Sequence, residues 1–434
     1  MTTKRDTIFA LATPAGKSAL ATIRISGPKA IDVIKKISSN MPSKSNVATL
    51  NNIIKKNKEQ IDKTITTIFK SPKSYTGEDM AEVSTHGGPA IISRIVEMLT
   101  KNNLRIAEPG EFTRRAFENN KLDLTQVEAI SDIINSETEA QRKQAINQLN
   151  GLFSDKINQW SDKILKTLAD IEAVIDFSDE DLPKNVLNNS KEQIENIYSE
   201  IDNSLSDNRV GEKIRNGFVV AILGKPNVGK SSFINNIAKR NVAIVTEIPG
   251  TTRDAIEIFA DIKGLPVRII DTAGIRKTSN KLENIGVKKT YTISDTADIN
   301  LIFIKDKKCF NDFAKFNNKI FVQSIIDINE KLKTKNKIFY ISSKNSEGIE
   351  GLLGGVYNKI INKSHIGDIS VSRERHRLIL VKTMEYLKSA LEPKNIDIFA
   401  EDVRLSLNEI SKIVGKKDID DVLDIIFSDF CIGK

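Results

Sequence analysis

Residues 224–231 read Gly-Lys-Pro-Asn-Val-Gly-Lys-Ser, a match to G-x-x-x-x-G-K-[ST], between the apolar run 218–223 and a stretch of helical spacing that starts near Ser231. No other feature constrains the fold as tightly. A loop of this spacing needs a buried strand before it and a helix after it, because its consecutive backbone N–H groups must converge on one anion while the helix N-terminus adds positive potential. Strand-like runs recur at 266–271, 299–304, 319–323 and 337–342, so an α/β sheet is expected over residues 212–369. In the loop, Gly224, Asn227, Val228, Gly229 and Ser232 are placed around phosphate oxygens. Lys230 reaches for the terminal phosphates, and the Ser231 hydroxyl is the candidate Mg²⁺ ligand.

The other parts of a nucleotide switch follow in order. Asp271-Thr272-Ala273-Gly274 closes the strand 266–270, where the carboxylate can take a Mg²⁺-bound water and the Gly274 N–H can meet a γ-phosphate. Between lie Thr246, Glu247, Ile248, Pro249, Gly250, Thr251 and Thr252; Thr252 can complete the Mg²⁺ shell only when the γ-phosphate is present. The base-reading signal is weaker. Where N-K-x-D is usual, the chain has Ser324-Ile325-Ile326-Asp327: Asp327 can accept from guanine N1 and N2, but Ser324 is shorter than Asn and reaches less far toward the P-loop. Ser342-Ser343-Lys344 can present a backbone N–H to guanine O6. GTP is the expected nucleotide; whether the departure at Ser324 and Ile325 weakens its binding is left open by the sequence. Ile275 follows Gly274, and an isoleucine cannot position water; Asn227 points to a monovalent cation for the positive charge otherwise given by an arginine finger.

Composition bounds the rest. The 434 residues are 39% hydrophobic and 28% charged, too long for one ordinary core and too apolar for disorder. No run of 18 apolar residues exists and the start lacks a secretory signal, so an intracellular, cytoplasmic protein without membrane segments is expected. Two cysteines, Cys309 and Cys431, make neither a disulfide framework nor a zinc site. The net charge of +8 is uneven: residues 1–120 hold 19 basic against 11 acidic groups, residues 121–210 hold 9 against 18, and residues 211–369 hold 26 against 16. Such asymmetry permits a polyanionic partner, and it fits a solvated lysine-rich surface equally well.

The flanks differ from the centre. Residues 8–117 mix short β-rich runs with helical stretches and read as a small α+β domain. After Leu124, apolar residues recur every three or four positions, and the same spacing returns beyond Ser370. The fold class expected is therefore multidomain α+β: an N-terminal domain at 1–120, a helical domain at 121–211 and 370–434, and a P-loop α/β domain at 212–369 inserted in the helical one.

Several motifs outside the P-loop module carry a resemblance. Asp6-Thr7-Ile8, Ala12-Thr13-Pro14, Arg24-Ile25-Ser26-Gly27, Ser74-Tyr75-Thr76-Gly77-Glu78-Asp79, His86-Gly87-Gly88-Pro89, Pro109-Gly110-Glu111-Phe112-Thr113, Lys121-Leu122-Asp123-Leu124 and the final Cys431-Ile432-Gly433-Lys434 stand in the order found in the MnmE or TrmE family. The whole chain resembles that family of bacterial tRNA-modification GTPases. The resemblance implies a Ras-like G domain and a folate-binding N-terminal domain that also forms a homodimer. It implies work with an FAD-dependent partner of the MnmG type, in a heterotetramer, on carbon 5 of the wobble uridine of certain tRNAs. The one-carbon unit comes from a 5-formyl- or 5,10-methylene-tetrahydrofolate. It places the folate near Arg24, Glu82, Lys121 and Lys434, potassium at Asn227, Thr246, Ile248 and Thr251, the catalytic glutamate at Glu283, and a chemical role at Cys431, for which a buried structural thiol is the competing reading. Two other readings stand beside it: an RNA-binding ribosome-assembly GTPase, and a nucleotide-binding scaffold of weak turnover.

Overall fold

The computed structural model describes residues 6–55, 57, 59–176, 185–239, 243–244, 256–272, 292–324, 332, 334, 336–363, 371–392, 395–416, 423, 426–427, 430 and 433. Chain contacts divide it into two compact units, Met1–Ser131 with Ser411–Lys434, and Asp132–Ile410.

The first unit is built on β1 (Ile8–Leu11), β2 (Ser18–Ser26), α1 (Ala30–Ile37), β3 (Thr49–Ile54), β4 (Gln60–Phe69), β5 (Met80–Gly87), α2 (Pro89–Lys101), β6 (Arg105–Ile106), α3 (Glu111–Glu118) and the first two turns of α4 (Leu124–Ile134), whose last residues from Asp132 on belong to the second unit. Its six strands lie in the order β3-β4-β5-β2-β1-β6, antiparallel except for the β1–β6 pair. Alternation puts Ile23 and Ile25 of β2 and Ala81 and Val83 of β5 into one buried cluster with Val33 and Ile34 of α1 and Ile95 and Leu99 of α2. The opposite pleat of β2 carries Arg24, and the register sets it directly across from Glu82 on β5.

A buried guanidinium ties the ends of this unit together. Arg115 on α3 is 5% exposed, donates to the Asp6 backbone carbonyl at 2.9 Å, and pairs with Asp6 Oδ1 at 2.8 Å, Glu78 Oε2 at 3.1 Å and Glu111 Oε1 at 2.9 Å. Five planar donors suit such a cluster as no other side chain can.

The second unit continues with α5 (Glu139–Leu149), α6 (Leu152–Asp176), α7 (Val186–Leu205) and α8 (Val210–Asn216). The start of α5 is fixed by a capping box in which the Thr138 hydroxyl accepts from the Gln141 N–H and Gln141 Oε1 accepts from the Thr138 N–H. Phe153, Ile157, Trp160, Ile164, Leu168 and Ile171 recur along one face of α6 and are buried, with α6 packed on α7, and α7 on the helix Glu374–Leu391.

Glu200 on α7 accepts from the Trp160 indole N–H at 2.8 Å and pairs with Lys163 at 2.7 Å and Lys156 at 3.1 Å. The hydrogen bond from Lys163, then that from Trp160, holds its carboxyl down at about 2 from an ordinary 4.5. A depressed folded pKa stabilises fully above the unfolded value and is lost as pH falls through the folded one, so this contribution fades between pH 4.5 and 2. Unfolding followed by fluorescence of Trp160, the sole tryptophan, is expected to lose stability less steeply across that window in Glu200→Gln than in the wild type. Equal slopes would show that the cluster is screened out by solvent.

The α/β part contains β7 (Phe218–Gly224), α9 (Lys230–Ala238), β8 (Ala243–Ile244), β9 (Ile256–Ile262), β10 (Leu265–Asp271), β11 (Ile299–Phe303), β12 (Lys319–Ser324) and β13 (Ile338–Ile341), followed by the helix Ile349–Ile361. The order is β13-β12-β11-β7-β10-β9-β8, parallel from β13 through β10 and antiparallel at β9 and β8. Its strands are apolar on both faces, as a sheet covered by helices on each side requires: Val220, Ile222, Val267, Leu301 and Val322 share a core with Phe233 and Ile237 of α9 and Leu352 and Val356 of the last helix. This is a Ras-like arrangement. The chain then returns through the helices Glu374–Leu391 and Ile396–Ser411. Among the described residues no helix is long and apolar enough to cross a membrane, and no cluster of three metal-ligating side chains occurs.

Candidate functional site

The central strand β7 delivers Gly224 to the carboxyl edge of the sheet, where open parallel sheets gather their ligands. Two glycines make the turn possible. A Cβ at Gly224 would stand 2.6 Å from the Phe303 carbonyl oxygen, and one at Gly229, with φ +95°, would stand 2.9 Å from Ser324 Cβ. Between them Asn227 takes φ +60°, a left-handed conformation that asparagine tolerates better than most residues.

Lys230 begins α9 and is 6% exposed. Its ammonium folds back over the loop, donating to the carbonyls of Gly224 at 2.8 Å and Lys225 at 2.7 Å. These two carbonyls are neutral acceptors that a phosphate would outcompete, since hydrogen bonds between charged partners are about twice as strong as neutral ones. The neighbouring Lys225 is drawn aside to Asp312 at 2.9 Å.

On the next strand, Asp271 pairs in register with Ile222 of β7, so its carboxylate is buried at the same edge. The Thr272 hydroxyl donates to the Ile222 carbonyl at 2.7 Å and locks the exit of β10 to β7. On the other side, β12 ends at Ser324 against Gly229. Ser324 thus occupies the space that a side chain at position 229 would need. The loop of Ser342, Ser343 and Lys344 is gripped from behind: Asn236 of α9 donates to the Ser343 carbonyl at 2.9 Å and contacts Ser346 Oγ at 2.9 Å, while the Ser342 N–H donates to the Glu347 carbonyl at 2.9 Å. Sequence reasoning passed over Asn236. Its helical position one turn beyond Ser232 was the available signal.

In the first unit Arg24 and Glu82 form one ion pair, Nε at 2.9 Å and NH2 at 2.8 Å from the same Oε1. No contact with Glu82 Oε2 occurs among the described residues, so a carboxylate oxygen remains for a ligand. The guanidinium lies over the rings of Tyr75 (5.4 Å) and Phe112 (5.8 Å) and donates to the Gly433 carbonyl at 3.3 Å. Burial pushes the Tyr75 phenol up, against the hydrogen bond it shares with Thr113. Lys121 stands apart from this pair: its ammonium donates to the Pro72 carbonyl at 3.1 Å, at the loop that carries Tyr75. A half-open carboxylate beside a cation and two aromatic faces fits a flat heterocycle with an N–H edge and an anionic tail. Tyr75, Phe112 and Gly433 lie within motifs read from the sequence without having been singled out.

The residues Thr246, Glu247, Ile248, Pro249, Gly250, Thr251, Thr252, Ala273, Gly274, Glu283, Asp327, Cys431 and Lys434 lie outside the described residues.

Comparison with known proteins bears on both units. A family profile for the MnmE helical domain matches residues 124–431, and one for the GTP-binding protein TrmE N-terminus matches residues 7–121. Three relatives named tRNA modification GTPase MnmE align end to end. That of Pelagibacter ubique (strain HTCC1062) is 42% identical over 99% of this chain and 100% of its own. The Rhodopseudomonas palustris (strain BisB18) protein is 39% identical over 100% of both. The Rickettsia prowazekii (strain Madrid E) protein is 38% identical over 99% of this chain and 100% of its own.

Proposed function

The chain belongs to the MnmE family of tRNA modification GTPases, and from that membership we propose that its GTP hydrolysis is potassium-activated and serves a folate-dependent modification of carbon 5 of the wobble uridine of certain tRNAs. The observation that carries this reading is the Lys230 cradle at the sheet edge it shares with Asp271, Thr272 and the loop 342–344.

In the hydrolytic site, an arriving triphosphate replaces the carbonyls of Gly224 and Lys225 as partners of the Lys230 ammonium, and loop amides converge on its oxygens. Ser231, in the first turn of α9, and Thr252 are proposed to hold Mg²⁺, with Asp271 accepting from a water on that ion. Ile275 cannot orient the attacking water, so Glu283 is assigned that task. Asn227, Thr246, Ile248 and Thr251 are assigned to potassium, which supplies positive charge where bridging oxygens become more negative. Asp327 and the backbone of 342–344 read guanine.

In the N-terminal domain, Glu82 Oε2 accepts from the pterin edge, Arg24 fixes that carboxylate and stacks beneath it on Tyr75, and Lys121 and Lys434 attract the anionic tail. The reduced folate, when bound, supplies the one-carbon unit. Cys431 has a proposed chemical role beside it. The partners follow from the same reading: tRNA, an FAD-dependent enzyme of the MnmG type in a heterotetramer, and a second copy of this chain, in the cytoplasm. The division into an N-terminal domain (1–120), a helical domain (121–211 and 370–434) and a G domain (212–369) is part of the proposal.

Two measurements on the full chain test it. GTP turnover is expected to be about tenfold or more faster in potassium than in sodium, a difference of roughly 1.4 kcal/mol; equal rates would remove the cation from the mechanism. 5-Formyltetrahydrofolate is expected to bind the wild type and to bind Glu82→Gln more weakly, and absence of binding to the wild type would remove the folate.

A further inference from the structure

The opposite edge of the G-domain sheet also has a cavity, of about 350 Å³, opening where β7 and β11 begin at Phe218 and Ile299. The P-loop lies at the far end of β7, about 20 Å away at ~3.3 Å per residue. Nucleotide sites of parallel sheets form at the carboxyl ends of strands, so this cavity at the amino ends is a separate place.

Its charges do not balance. Lys213 of α8, Lys359 of the helix Ile349–Ile361 and Lys363 just beyond that helix line it, against one carboxylate, Asp298. That carboxylate is already committed: Oδ1 pairs with Lys213 at 2.9 Å, and Oδ2 accepts from the Val219 N–H at 2.8 Å. Lys359 donates only to the Lys319 backbone carbonyl at 2.8 Å, and Lys363 to the side-chain oxygen of Asn318. Neither pairs with a carboxylate among the described residues. The two ammonium groups are four residues apart and repel. Burial, then the charges of Lys363 and Lys319, push Lys359 below its ordinary value. Three cations against one engaged anion leave a surplus of two, the charge of a phosphate monoester near neutral pH. Lysines bind phosphate as movable point charges, and the amides of Asn208 and Asn318 on the same wall can add donors.

We propose that this cavity is a second phosphate-binding site, distinct from the nucleotide pocket, in which Lys213, Lys359 and Lys363 receive a phosphate group. The phosphate can belong to an RNA backbone or to a small phosphorylated molecule. The RNA source rests on the tRNA reading above; the small-molecule source does not.

The test uses the full chain with its nucleotide pocket saturated by GDP, so that the P-loop cannot answer for the cavity. Binding of labelled tRNA is measured from 50 to 200 mM salt for wild type and Lys359→Gln/Lys363→Gln, and acylation of Lys359 by an amine-reactive reagent is measured with and without pyrophosphate. An RNA phosphate in the cavity lowers affinity about fivefold or more in the variant and reduces the slope of log K against log salt by about two, one per lysine. A small phosphate leaves tRNA binding unchanged but slows Lys359 acylation several-fold in pyrophosphate. Unchanged tRNA binding together with unprotected Lys359 overturns the proposal. If the wild type binds no tRNA at all, the tRNA reading fails while the pyrophosphate arm still judges the cavity. GTP turnover of the variant, expected to equal wild type, reports that the domain is folded.

Discussion

Lys230→Ala is expected to lower GTP turnover by about 10²–10³-fold, the usual cost of deleting one preorganised donor from a site where negative charge develops. The ammonium is nine-tenths buried and already aimed by the carbonyls of Gly224 and Lys225. When phosphate arrives, the ammonium has only to exchange these two carbonyls for phosphate oxygens. The truncation also strips two loop carbonyls of their donor, so the thermal midpoint must be recorded alongside the rate. A midpoint within a few degrees of wild type assigns the lost turnover to charge rather than to unfolding. Turnover within about threefold of wild type would mean that the buried ammonium is a structural clasp, with phosphate stabilised elsewhere.

Arg115→Leu is expected to destabilise the N-terminal unit by about 1–3 kcal/mol: Asp6 and Glu111 keep Arg105 and Glu78 keeps the Ser26 hydroxyl, so what is lost is the buried guanidinium's own hydrogen bonds. Glu78 and Glu111, both mostly buried, would lose the guanidinium that reaches them from one side chain together with Asp6. Denaturant unfolding monitored by far-ultraviolet circular dichroism gives the free-energy difference. Arg115→Lys keeps the charge but not the fork, and is expected to recover less than half of the loss. A change below about 1 kcal/mol for Arg115→Leu would show that water replaces the network.

How far the sequence disclosed these sites depends on the range of the interactions involved. The P-loop is local: eight consecutive residues and their flanks specify strand, turn and helix, and the observed β7 and α9 fall within a residue of the positions read from spacing. The runs at 266–271, 299–304, 319–323 and 337–342 likewise became β10 to β13, since short, mostly apolar runs between turn residues announce themselves. The antiparallel β9 was not marked as a strand, although Ile256, Ile258, Ala260 and Ile262 alternate with polar or bulky residues. Long-range facts were harder. Arg24 and Glu82 were both named, from resemblance, but nothing within either segment says that the two face each other; that follows from the β2–β5 register. The stacking of Arg24 on Tyr75 and Phe112 joins three distant segments and was invisible for the same reason. That Ser324 lies beside Gly229, where a side chain would collide with it, is likewise a long-range fact that neither segment states.

The stretch that leads into β7 and the one that leads into the helix Glu374–Leu391 share one carboxylate. Arg215, at the end of α8 just before β7, and Arg373, just before the helix Glu374–Leu391, both bind Asp132 Oδ1, at 2.9 and 2.7 Å. The same two stretches are joined again by Arg377, which reaches Glu212 and Asp207, and by Arg209 with Glu374, so the chain's approach to β7 and its return into the helix Glu374–Leu391 are clasped at several charged points. Losing either Arg215 or Arg373 is expected to loosen the other, because each guanidinium helps to fix the Asp132 oxygen that its neighbour holds.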